Sequence, residues 1–192
     1  MMRALPLVLL ALVLPLPALA HPGDGLTYGF AAGVVHPLAG PDHVLAMIAL
    51  GIWAGLAGGR AIWLLPAGFL TGMAIGGVLG MAGSALPMVE AGILGSIITL
   101  GVLVAAAARP MVVVALALVG AFGLLHGHAH GTELAEGSSG LGYAAGFLLA
   151  TAALHGAGLL LAWQSGTGPG RVALRVAGAT TAVLGLGMVI LG

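Results

Sequence analysis

Apolar runs divided by short polar or glycine-rich breaks make up most of the chain. Six runs approach or reach the roughly 20 helical residues that a hydrocarbon core requires: 42–58, 61–82, 87–108, 110–130, 141–163 and 171–191. Gly58-Gly59-Arg60, Arg109-Pro110 and the stretches 83–87, 131–140 and 164–170 separate them. The first run is short for a full crossing. The pattern predicts an all-α fold: a polytopic membrane helix bundle of about six transmembrane helices in a single domain, 21–192.

Two segments precede the bundle. Residues 1–20 carry Arg3, an apolar run and a proline-containing end that closes on an A-x-A pattern at Ala20, which is the layout of a cleaved signal peptide. Cleavage there makes His21 the mature amino terminus, on the periplasmic face of a bacterial inner membrane. Residues 26–35 are apolar but too few to cross, so a short re-entrant or surface helix is expected. With six spans, Arg60, Arg109, Arg171 and Arg175 all fall on the cytoplasmic side, as positive charge does in multi-pass proteins. The loop with Glu133 and Glu136 falls outside.

Composition agrees with the pattern. The chain of 192 residues is 60% hydrophobic and 5% charged, where a soluble domain carries about a quarter charged residues. It has five basic residues, all arginine, and five acids, so no basic patch for nucleic acid exists. Cysteine is absent, which leaves His, Asp, Glu, Met and backbone as the available metal ligands. No G-x-x-x-x-G-K-[ST] loop occurs, so ATP hydrolysis is not expected and the chain is not read as an enzyme. Glycine recurs every four residues at Gly51, Gly55 and Gly59 and at Gly72, Gly76 and Gly80, a spacing that lets helix backbones approach closely in lipid.

The few ionisable groups collect at the outer ends of the spans. His36, Asp42 and His43 fall at a break containing Pro37, Gly40 and Pro41, read as an irregular bend at the start of the first span. Asp42, between Pro41 and an apolar run, is also placed as an N-cap. Glu90 opens the third span. His126, His128 and His130 close the fourth, with Glu133 beyond. Residues four apart share a helix face, so His126, His130 and Glu133 point together while His128 points away. An ionisable group in mid-membrane costs about 2.5–3.5 kcal/mol on insertion scales, so such groups usually face a bundle interior or a pathway. Imidazole and carboxylate together suit a borderline transition dication. His155, two thirds along the fifth span, is a candidate second stop on an inward path. Met47, one turn after His43, and the new amino terminus at His21 are weaker candidates.

The bend His36-Pro37-x-x-Gly40-x-Asp42-His43, followed by Leu45-Ala46-Met47, and the motif His126-Gly127-x-Ala129-His130-Gly131 with Glu133 resemble the two signatures of the HupE/UreJ family of nickel permeases. The resemblance spans the whole chain. It departs at Leu125, where that family usually has phenylalanine. It implies secondary transport of Ni²⁺, or of Co²⁺ in some members, for hydrogenase or urease maturation, with no resident cofactor. The implied site is His36, Asp42, His43, Glu90, His130 and Glu133. Expected partners are the ion and the lipid bilayer, with a metallochaperone or a second copy of the chain as further candidates. A haem protein using histidines as axial ligands and a metal-binding protein without transport are the competing readings. An intramembrane metalloprotease is disfavoured because the H-E-x-x-H helix is missing.

Overall fold

The computed structural model describes residues 29–133 and 140–191. The signal-peptide reading, His21 and Glu136 lie outside them. The described residues form seven helices and no strands: α1 Phe30–Ala39, α2 Pro41–Ala57, α3 Ala61–Met81, α4 Val89–Ala106, α5 Val112–Thr132, α6 Gly140–Gln164 and α7 Pro169–Leu191. Helices α3 to α7 are each long and apolar enough to cross a membrane, and α1 with α2 makes a pair bent by 87°. The six predicted runs therefore correspond to α2 through α7. Large side chains such as Val113, Trp163, Val183 and Ile190 stand exposed on the outer helix faces, as expected where lipid is the solvent.

The bend differs from its sequence reading. His36 and Pro37 lie inside α1, and the break is confined to Gly40 at φ −91°, ψ 111°. Pro37 falls in the last turn, where it removes one backbone hydrogen bond without ending the helix. Pro41 instead sets the break, because the residue before a proline is pushed out of the helical region while proline suits the first helical position. Gly40 is thus the N-cap residue of α2, not Asp42, which sits in the first turn and makes no capping bond. Its negative charge there still favours the positive end of the helix dipole.

Helix α2 is central. Ala46, Met47, Leu50, Trp53 and Ala54 are fully buried, which explains why a helix of 17 residues is apolar on every side. Around it, α3 packs on α5, α4 on α7, and both α1 and α2 on α6. The α3–α5 contact is backbone on backbone: a Cβ added at Gly72, Gly76 or Gly80 would strike the carbonyl of Gly120, Leu124 or His128. Gly123, Gly127 and Gly131 would strike Phe69, Met73 and Gly77 in return. Of the other glycine series, Gly51 meets the His155 carbonyl and Gly55 meets Ala162, whereas Gly59 lies in a turn with open space around it.

The two ends of the bundle differ in charge. At one end Arg109 donates to the Leu56 carbonyl at 3.1 Å and Arg175 to that of Ala105 at 2.7 Å. Arg60 and Arg109 line one cavity there. Trp53 Nε1 donates to Ala108 O at 2.8 Å at the same end. The histidine-bearing ends of α1, α2 and α5 lie at the opposite one.

Candidate metal centre

Three helices bring the histidines together. His36 comes from the last turn of α1, His43 from the first turn of α2, and His126 and His130 from the end of α5. One ligand atom from each of His36, His130 and Glu133 lies within 4.8 Å of the others. The same carboxylate oxygen, Glu133 Oε2, is 3.4 Å from His36 Nε2 and 3.2 Å from His130 Nδ1. The carboxylate can only accept, so His130 Nδ1 donates to it, while His36 Nε2 stands beside the same oxygen. A dication among these groups would meet two imidazole nitrogens and an oxygen. Opposed ligands on such an ion stand about 4.2 Å apart, twice a bond of about 2.1 Å, so a small inward movement would complete the contact.

Exposure falls along the row. The side chains are 55% exposed at Glu133, 41% at His36 and 17% at His130, while His43 and His126 are buried at 2% and 1%. The row therefore runs from an open mouth to a closed interior. Ring centroids are 4.8 Å apart for His36 and His130, 5.2 Å for His130 and His43, and 5.3 Å for His43 and His126. Asp42, half-buried in the first turn of α2 next to His43 in sequence, adds a second carboxylate at this end of the bundle.

Hydrogen bonds fix ring protons. His126 Nδ1 donates to the Phe122 carbonyl at 2.9 Å, which leaves the Nε2 lone pair turned inward. The Thr151 hydroxyl donates toward Met73 Sδ at 4.0 Å and therefore accepts from His43 Nε2, a long bond of 3.4 Å. The His43 Nδ1 lone pair is left free by that arrangement. Orienting partners of this kind set which nitrogen can ligate.

Helix α6 supplies the wall, of which sequence reasoning named only His155. Tyr143, Phe147, Thr151 and His155 recur every four residues, the spacing of one helix face. Tyr143 lies 5.8 Å from His36, and Phe147 lies 4.4 Å from His130 and 5.1 Å from His43. Only the period, ending on a histidine, could have announced this stripe, since Tyr, Phe and Thr are ordinary residues of membrane helices. Phe69 and Met73 of α3 were missed for the same reason.

Other candidates lie apart. Glu90 is exposed in the first turn of α4 and is not among the converging groups. Met47 is packed in the apolar core. His128 points away as expected, and its Nε2 donates to the Ser84 carbonyl at 2.6 Å, tying the α3–α4 connection to the end of α5. His128→Ala should remove a hydrogen bond to the carbonyl of Ser84, an exposed residue that water can reach, at a cost of about 0.5–1.5 kcal/mol. Thermal unfolding in detergent should show the loss.

Comparison with known proteins gives a consistent result. The family model described as HupE / UreJ protein matches residues 8–188. Over 178 residues the chain is 46% identical to the protein described as "Protein HupE" of Rhizobium leguminosarum bv. viciae, covering 92% of this chain and 93% of that protein. No solved structure matches the chain.

Proposed function

The chain belongs to the HupE/UreJ family, and on that premise we propose that it carries a divalent transition-metal ion across the bacterial inner membrane. The ion is Ni²⁺, with Co²⁺ the close competitor, and movement runs from periplasm to cytoplasm without ATP. Its physiological use is the maturation of hydrogenase or urease. Beyond the family, one observation carries this reading: a ligand atom of His36 meets those of His130 and Glu133, from a helix far along the chain, within 4.8 Å at an open mouth.

The chemistry supports transit. At the mouth Glu133 and Asp42 supply two negative charges against the two of the ion, while imidazoles begin to replace its water. His130 touches both His36 and His43, so it can pass the ion from the exposed group to the buried one. Binding has to remain moderate at each step or the ion would not leave. The arginine-bearing end takes the cytoplasmic side under the positive-inside rule, which turns the mouth toward the periplasm.

Radioactive nickel uptake into cells tests the proposal. Intact protein should support uptake that excess Co²⁺ suppresses and excess Mg²⁺ does not. Asp42→Ala and His43→Ala, at matched membrane abundance, should each lower it by about tenfold or more, the scale on which loss of a ligand's support costs metal affinity. Uptake equal to that of cells lacking the protein would refute transport. Full uptake in both variants would remove the α2 end from the pathway.

A further inference from the structure

Inward of the mouth, four buried ring nitrogens have no hydrogen-bond partner among the described residues: His43 Nδ1, His126 Nε2, and both Nδ1 and Nε2 of His155. A buried polar group left unpaired costs about 1–3 kcal/mol, so a ring with both nitrogens bare demands a reason. His155 is 1% exposed and one turn below Thr151 on the α6 stripe. The Phe69 ring lies against it at 5.3 Å, edge to face, and against His126 at 5.4 Å. Gly51 of α2 sits directly on the His155 carbonyl, so helix packing fixes the depth of this ring.

We infer that His155, with the inward lone pairs of His126 and His43 above it, forms a second stop for the ion that contains imidazole and no carboxylate. The inference rests on the transport reading above and adds a selectivity to it. Magnesium, calcium and manganese prefer oxygen ligands, whereas nickel, cobalt, zinc and copper accept imidazole. An oxygen-seeking dication can be held at the mouth by Glu133 and Asp42, but beside the inner imidazoles it meets no carboxylate among the described residues, only the neutral Thr151 hydroxyl bonded to His43. The stop also lacks a countercharge, so a dication that accepts imidazole rests there without being trapped.

The full chain in proteoliposomes, with nickel or manganese added outside, provides the test. H155L should keep nickel binding at the mouth, measured by equilibrium dialysis, while uptake falls by about tenfold or more. H155N offers an amide oxygen and should raise the ratio of manganese to nickel uptake. Wild-type rates and ratios in both variants would overturn the inner stop and leave the transport reading intact. Absence of uptake by the unmodified chain would instead refute transport itself. A third arm does not depend on the folding of any His155 variant: H36A/D42N/E133Q, with the carboxylates and the exposed imidazole of the mouth removed, should still bind cobalt through imidazole, seen as ring multiple scattering in X-ray absorption. Lack of bound cobalt in that chain, or cobalt without imidazole scattering, would overturn the inference.

Discussion

His130→Ala is expected to lower nickel uptake by about tenfold or more, with protein abundance in the membrane unchanged. Its ring is the junction of the row: 4.8 Å from His36, 5.2 Å from His43 and 4.4 Å from Phe147 by centroid, with Nδ1 3.2 Å from Glu133. Removing it takes one nitrogen from the mouth and also the only imidazole that touches both the exposed His36 and the buried His43 among the described ring contacts. Uptake against external nickel separates the two losses. A binding defect alone would be rescued at high nickel, whereas loss of the handover would lower the maximal rate. The account expects both. His128→Ala, two residues away on the opposite side, is the matched control.

Gly127→Ala should be among the most destabilising additions of a single methyl group. Its Cβ would fall on the Met73 backbone, which cannot step aside as a side-chain tip can. Overpacking of this sort costs about 1–3 kcal/mol, a large part of a folded domain's margin of about 5–15 kcal/mol. The helices would have to separate where His126 and His130 face the row, so metal affinity should fall together with the unfolding temperature. Gly95→Ala gives the opposite sign. No atom lies within 4 Å of a Cβ at that position, and alanine in a helix interior is favoured over glycine by about 0.5–1 kcal/mol. A pair of thermal melts in one detergent decides it, and equal melting temperatures would show that the α3–α5 approach is not as close as described.

The spans were legible in the sequence because apolar runs and their glycine, proline and arginine breaks are local signals. Helices α2 to α7 follow those runs closely. What failed was local reading of features that distant packing decides. His36-Pro37 looked like a bend, yet the helix continues through it. Gly33 of α1 sits on the Tyr143 backbone and Gly146 of α6 on that of Phe30, and this close seating on α6 accompanies α1 through its proline. Asp42 looked like an N-cap because the cap and the first helical residue differ by a single position, and Pro41 occupied the latter.

Depth proved easier to read than direction. The positions of Glu90, His126, His130 and Glu133 along their spans suggested one end of the bundle, but the angle at which each faces its neighbours depends on helix packing. His126, His130 and Glu133 share a face by period and do converge with His36 and His43. Glu90, alone on its helix, had no period to orient it and lies exposed. Met47 had a period of four from His43, and the same spacing carried it into the apolar core. The stripe from Tyr143 to His155 was hidden because only its last member is unusual in a membrane helix.

The most direct test of the account is the position of the ion. Nickel-loaded protein in lipid nanodiscs, imaged by electron cryo-microscopy, should show density bonded to His36, His130 and Glu133. Nickel bound elsewhere, with those three side chains free of it, would contradict the account.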